Sequence, residues 1–192
     1  MKVTRIYSRH EEEIDVRELN VGDSVQIPEF TVPETTVAGD RELYFEEQTV
    51  KDTATVYNIK DDKVYLVFDH ALFCSAMDLN NATEWKKTQL HNYLRGAFKN
   101  SMKDVDIPAL EVSLLSKDEV FGRNALPFFK NGRNRIAFIK DESCVVWCWL
   151  KNVVPASGLC RAYNLGSAYP YDISYVNFIR PCFTVNTKQQ DN

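Results

Sequence analysis

"VVWCWLKN", residues 145–152, sets two tryptophans around a cysteine, after two aliphatic residues and before a basic residue and an amide. Read as an extended segment it divides by alternation. Val145, Trp147 and Trp149 point one way; Cys144, Val146, Cys148 and Leu150 point the other. Both sides are apolar, which is the pattern of a central strand covered on both faces rather than of a site wall. This reading makes the chain a sheet-centred domain and moves function from the tryptophans to the loops they support. Lys151 and Asn152, where the strand leaves the core, are the part of the stretch retained as binding candidates.

The neighbouring patterns agree with a sheet. "TATVYNIKDDKVYLVFDH" (53–70) predicts a hairpin turning at "KDD". Its second strand is apolar on both sides, with Val64, Leu66 and Phe68 opposed to Tyr65 and Val67. "TEWKKTQLHNYLRGAFKN" (83–100) predicts the main helix, because Leu90, Tyr93, Leu94, Ala97 and Phe98 recur at helical spacing. Thr88 is its expected N-cap, and Trp85 is expected to fold onto the first turn. Ser116 and Glu119 have capping-box spacing, so a short second helix is expected there, stopped by Gly122. "RIAFIKDESCVVWCWLKN" (135–152) predicts two strands about "KDES", and "GLCRAYNLG", "DISYVNF" and "IRPCFTV" predict short C-terminal strands. The expected organisation is an N-terminal β or extended segment (1–50), an α+β domain (51–185) and a polar tail (186–192).

Composition narrows the function. The chain has 192 residues, 44% hydrophobic and 26% charged, enough for a packed core. Its net charge of −4, without a basic stripe, argues against nucleic acid as partner. "KNGRNR" (130–135) is a small basic patch, read as a solvated loop. No apolar run is long enough to span a bilayer, and no signal core opens the chain, so no membrane partner is expected. The expected setting is cytoplasmic at synthesis, with a virion as an alternative destination. Five cysteines without a C-x-x-C pair argue against a disulfide framework or a zinc ribbon.

The order of five short motifs resembles the DUF6273-type domain of Firmicute and phage-encoded proteins. They are "NVGDSVQI" (20–27), "WKKTQLHNYLRGAF" (85–98), "LLSKDEV" (114–120), "WCWLKN" (147–152) and "IRPCFTV" (179–185). "WCWLKN" departs from the family's Trp-Trp-Leu-Arg-Ser, and Cys182 stands in place of a small residue. The resemblance implies a C-type-lectin-like or formylglycine-generating-enzyme-like fold. In that fold, small twisted antiparallel sheets carry one main helix, a short second helix and a long C-terminal loop region, with binding on the loop side. Through the enzyme branch it also points to Cys144 and Cys148 as a copper-binding pair to test.

The residues themselves favour binding over catalysis. "FDHALFC" (68–74) offers Asp69, His70 and Cys74, but adjacent strand residues face opposite ways, so Asp69 cannot serve His70. Cysteine spacing suggests no metal site, and calcium-lectin carboxylate motifs are missing, so neither metal nor cofactor is expected. "AYNLGSAYPYDISY" (162–175) mixes tyrosines with small polar residues, the composition of adaptable binding loops. Tyr163, Asn164, Tyr169, Tyr171, Asp172 and Tyr175 are therefore the ligand-binding candidates, with Lys151 and Asn152. The expected function is a noncatalytic module binding a protein or glycan, on a virion surface or in host interaction. The alternatives are a cysteine- or metal-dependent enzyme, or an assembly part that forms a homo-oligomer or docks on virion neighbours.

Overall fold

Two aspartates turn the central hairpin. In a computed structural model, which describes residues 1–7, 10–142, 144–154, 158–162 and 168–188, with backbone only at the described positions from 153 to 171, Asp61 and Asp62 take φ of 51° and 58°. Two successive positive φ values give the hairpin turn whose twist matches antiparallel strands, and aspartate tolerates that conformation better than most residues.

In chain order the first strands are β1 (Lys2–Tyr7), β2 (His10–Asp15), β3 (Ser24–Gln26), β4 (Phe30–Val32), β5 (Thr35–Val37), β6 (Leu43–Phe45) and β7 (Gln48–Val50). The hairpin follows as β8 (Thr53–Lys60) and β9 (Lys63–Phe68), then β10 (His70–Ala71), β11 (Phe73–Ser75) and β12 (Glu111–Ser113). The C-terminal part adds β13 (Ala137–Ile139), β14 (Val145–Val146), β15 (Cys148–Val154), β16 (Gly158–Ala162), β17 (Ala168–Tyr171), β18 (Asn177–Ile179) and β19 (Cys182–Asn186). A seven-stranded sheet runs β12-β19-β9-β8-β3-β1-β2, with every neighbouring pair antiparallel. A five-stranded sheet runs β11-β18-β15-β16-β17, and a three-stranded one β10-β13-β14. The N-terminal segment thus contributes three strands to the large sheet, and two small ribbons, β4-β7 and β5-β6, share its core.

The main helix covers the inner face of the large sheet. It runs Gln89–Tyr93, a π-helical turn Leu94–Phe98, then Lys99–Asp104. Thr88 caps it, its hydroxyl accepting from His91 N at 3.2 Å. Trp85 closes edge-on against His91, ring centroids 5.2 Å apart. Leu90, Tyr93, Leu94, Phe98 and Met102 form the buried stripe; Ala97 is only half-buried. Aromatic contacts lock the layers: Phe98 meets Phe30 and Phe68 edge-on at 5.5 and 6.1 Å, and Tyr93 stacks on Phe45 at 3.9 Å. Such pairs add about 0.5–1.5 kcal/mol each beyond area burial.

The outer face of the same sheet carries a second, smaller core. Tyr57 and Val67 pack there with Val120, Phe129 and Leu150. Helix 117–120 begins at the predicted capping box: Glu119 N donates to Ser116 Oγ (3.1 Å), and Ser116 N to the Glu119 carboxylate (2.6 Å). Gly122 follows with φ +89°. Besides these, the outer layer has a helical turn at Pro127–Lys130 and a 3-10 turn at Gly132–Arg135, which the expected two-helix pattern lacked.

The opening stretch needs correction. It is not one strand: Val145–Val146 pairs with Ala137 and Phe138, the chain breaks step at Trp147, and Cys148–Val154 starts anew as the middle strand of the five-stranded sheet. Trp147 is half-buried and its carbonyl accepts from Phe178 N (3.2 Å), a bond to another strand. The expectation of burial holds from Cys148 to Leu150, and in a particular way. Cys148 joins the small third core, Trp149 the main core and Leu150 the second core. Trp149 Nε1 donates to Ser75 O at 3.1 Å, satisfying its buried donor. A second correction concerns the C-terminal loop region: Tyr169 and Tyr171 lie on β17, in register with Arg161 and Leu159 of β16, so that part is sheet. Tyrosine suits strands as well as loops, which is why composition alone misplaced it.

Candidate functional site: a polar cleft on the outer face

Cross-strand register puts Ser24 opposite Thr55, and Thr55 opposite Val67. Thr53 lies two residues before Thr55 and Asp69 two residues after Val67, so all four polar side chains share the outer face. The hydroxyls converge on Asp69: Thr55 Oγ1 donates at 2.5 Å, Ser24 Oγ at 3.2 Å, and Thr53 Oγ1 also donates. Three hydroxyl donors fix the carboxylate's orientation and keep it acceptor-rich at the sheet's end.

Arg180 reaches under the same point from the strand before β19. It is buried, and its Nε donates to Phe68 O at 2.7 Å. Its Nη1 donates to Asn134 O and Ile136 O, both at 3.3 Å. Burial lowers its pKa, opposed in part by the negative groups around it, Asp69 and Asp52 among them. The guanidinium therefore clamps the segment 134–136 to the sheet. That segment is braced further by Asn134 Nδ2 on Phe128 O (2.7 Å) and Arg135 Nε on Phe129 O (2.6 Å). Arg135 also lies over the Phe121 ring, 5.4 Å from its centroid.

Between sheet and clamped segment lies a cleft of about 500 Å³. Thr55, Asp69 and Gly22 form its sheet side; Phe128, Arg133, Asn134, Ile136 and Phe138 form the facing wall, with Arg180 between. Gly22 has φ +98°, which lets the chain turn at this rim without a side chain filling it. Phe138 is exposed. Arg133 is exposed too, and among the described residues its guanidinium has no ion-pair partner. Of "KNGRNR", read from sequence as a solvated loop, Lys130 to Arg133 are exposed, and Arg133 and Asn134 line the cleft.

On the other side of Asp69, as alternation required, stands His70. Buried Asp52 holds it, accepting from His70 N at 3.1 Å and pairing with Nδ1 at 2.6 Å. The imidazole is partly exposed. Among the described residues no serine, threonine or cysteine hydrogen-bonds its other nitrogen, so the Asp–His pair has no attached nucleophile.

The predicted candidates fall elsewhere. Tyr163 and Asn164 lie outside the described residues, as do the side chains of Tyr169 and Tyr171. Asp172 is exposed and accepts from Ser174 N (2.9 Å) and Ser174 Oγ (2.8 Å), which holds its carboxyl below the ordinary range. Tyr175 is exposed on the same turn, its N donating to Asp172 O at 3.2 Å. Lys151 pairs with Glu119 at 3.4 Å, and Asn152 Oδ1 accepts from Lys117 N, so both brace helix 117–120.

Among the described residues the thiols do not form a metal centre. Cys144 is exposed, whereas Cys148 and Cys182 are buried and desolvation pushes each up to about 12. Cys74 stands on β11 opposite Phe178 and is exposed. Among the described residues no three histidine, cysteine or carboxylate side chains group as a metal site. No described helix is long and apolar enough to cross a membrane.

Asp52, Asp69, Arg133, Asn134 and Arg180 are the site residues that sequence patterning did not assemble. The available signal was a charged residue ending each of two apolar runs, Asp69 after "VYLVF" and Arg180 after "NFI". Comparison of the chain with protein-family models, curated proteins and solved structures returned no match.

Proposed function

We propose that the protein is a noncatalytic binding module whose outer-face cleft takes a glycan bearing a carboxylate. The observation that carries this reading is the pairing of the exposed Arg133 with aromatic walls around a pre-oriented carboxylate. Sugars present hydroxyls to planar polar side chains and a C–H face to aromatic rings, and about 300–1,000 Å³ is the usual size of a small-molecule site. Arg133 supplies the cation for an acidic group, and Asp69 can accept a sugar hydroxyl. Cys148 and Cys182 are buried and held protonated, which speaks against either as a nucleophile.

The test is calorimetric titration with uronic-acid-containing oligosaccharides and their neutral counterparts. Saturable binding of the acidic form is expected, weakened at least tenfold by Arg133→Gln and by Phe138→Ala in variants that unfold like the parent. Equal binding of neutral and acidic sugars, or none of either, overturns the proposal; binding only to an acidic protein surface would replace glycan with protein as the ligand.

The DUF6273-type and C-type-lectin-like assignment, with its virion-surface or host-interaction setting, stands as part of the same proposal. It rests on the order of the five motifs alone. A second reading, acid–base catalysis, is favoured by one observation, the buried Asp52 holding a partly exposed His70. It requires a turnover that His70→Gln abolishes.

A further inference from the structure

The inner face of the large sheet is longer than the helix that covers it. Around Phe68 and Phe98 the layer is closed by interlocked rings. Past Asp104 the helix stops. Asp106 takes φ +61° and Ile107 N turns back to Met102 O at 3.0 Å, so the helix ends there and the chain turns toward β12, Leu110 N donating to Thr184 O at 2.7 Å. The sheet continues beneath it through Leu66, Val185 and Val25. Ile107, Val105 and the 3-10 turn Val16–Glu18, tied down by Val16 N on Met1 O (3.0 Å), lie over this end with Leu19 and Pro28.

A cavity of about 220 Å³ is left between them. Its inner walls are aliphatic: Val16, Leu19, Val25, Leu66, Ile107 and Val185 are each at most 4% exposed. Polar side chains, Lys2, Glu13 and Asp106, stand at its rim and are exposed. Protein interiors hold few voids larger than a water molecule, and a water needs two to four polar partners, which the aliphatic inner walls do not supply. An apolar cavity of roughly 150 Å³ already accepts benzene. The space is larger than that, is walled at depth by aliphatic side chains, with the half-buried Thr4 and Gln26 also in its lining, and has a mouth by which a ligand can enter.

We infer that this cavity is a second binding site, for one uncharged apolar molecule of about naphthalene size. It is separate from the outer-face cleft, since the two lie on opposite faces of the sheet, and neither needs the other. The expected occupant is an aromatic or short alkyl group held in the depth of the cavity, because the aliphatic inner walls offer nothing to solvate a charge there.

The test is titration of the intact chain with naphthalene and with n-butylbenzene, read by methyl chemical shifts. Saturation at one equivalent is expected, with shifts concentrated at Val16, Leu66, Ile107 and Val185. Ile107→Phe and Val16→Phe, which fill the cavity from two different elements, should each weaken binding at least tenfold while unfolding cooperatively at an equal or higher temperature. Absence of saturable shifts in the parent chain, or shifts centred elsewhere, overturns the inference and leaves a dry packing gap. Undiminished binding in a folded filling variant overturns it as well. Should one variant fail to fold, the other variant and the parent's shift map still decide.

Discussion

Phe68 and Asp69 are consecutive residues with opposite surroundings. Phe68 is fully buried on the inner face, against Phe98 and Phe183 at 6.1 and 5.4 Å. Asp69 holds three hydroxyls on the outer face at the edge of a cleft. One strand end thus separates a face that seals the fold from a face that leaves room. The inner layer closes by aromatic interlock. The outer layer is a thin set of helical turns hung on hydrogen bonds to backbone carbonyls, and polar groups are affordable there because Arg180 satisfies those carbonyls. The inner face thus carries the packing and the outer face the proposed binding site, so mutations should separate stability from binding.

The largest effect belongs to the inner face. Phe68→Ala should cost about 3–5 kcal/mol by cavity creation, measured by urea unfolding, and should impair every function equally. A loss below about 1 kcal/mol, the scale of a tolerated surface change, would mean that the inner face is not the sealing layer.

Next comes the joint between the faces. Arg180→Met keeps the length of the side chain but leaves the carbonyls of Phe68, Asn134 and Ile136 without their buried donor. The cost should be about 3 kcal/mol, from unsatisfied groups at roughly 1–3 kcal/mol each with partial relaxation. Hydrogen exchange should accelerate first in 134–139. If exchange rises uniformly instead, the outer layer is not an independent unit.

Asp69→Ala should be milder, about 1–2 kcal/mol, because Ser24, Thr53 and Thr55 lie only partly buried and water can replace their acceptor. Its effect on ligand binding at the cleft should exceed its effect on stability. The reverse ranking would make Asp69 a structural residue only.

The buried thiols give a pH test of the outer layer. Cys182 packs in the second core and Cys148 in the third. Both are raised by burial from an ordinary 9.0 to about 12. Above pH 9 the unfolded chain releases these protons while the folded chain keeps them. The unfolded state then binds fewer protons, so stability falls as pH rises from 9 toward 12, by about 1 kcal/mol per thiol at pH 10. Replacing both cysteines by alanine should flatten that limb between pH 9 and 10, while burial of Tyr57 and Tyr93, which raises both phenols, keeps a fall above pH 10; at pH 8 a thiol reagent should modify exposed Cys144 well before either buried thiol. Equal rates would place Cys148 and Cys182 at the surface.

How much of this was legible in the sequence depended on the range of the interaction. The Asp61–Asp62 turn, the buried stripe Leu90–Tyr93–Leu94–Phe98 and the Ser116–Glu119 box are local, and each was read from spacing within a few residues. The break at Trp147 was not, because a run apolar on both sides looks the same whether it is one strand or two in different sheets. The cleft was least legible. Arg180 and Phe68 are 112 residues apart, and Asp52 and His70 are 18 apart, so their pairing exists only once the sheet has formed. The Asp69–His70 reading came closest: opposite faces were expected, and opposite faces are found, but His70's partner Asp52 carries no periodic signal.

The smallest effects make the cleanest comparison. Thr88 caps the inner helix and Ser116 caps the helix of the outer layer, with nearly equal bonds of 3.2 and 3.1 Å. Replacing either by alanine should cost about 1 kcal/mol. The consequences should differ in place. Thr88→Ala loosens a helix locked by Phe30, Phe45 and Phe68, so the loss is spread through the cooperative core and ligand binding at the cleft is unchanged. Ser116→Ala releases Glu119, whose carboxylate also pairs with Lys151 and whose carbonyl accepts from Leu126 N at 2.9 Å, just before the turn that carries Phe128. Local exchange should therefore rise in 117–130, and cleft affinity should fall severalfold for a loss in unfolding temperature of only about 2–4 °C. If both variants weaken binding alike, the two faces are coupled through the sheet, and the separation drawn at Phe68 and Asp69 does not hold.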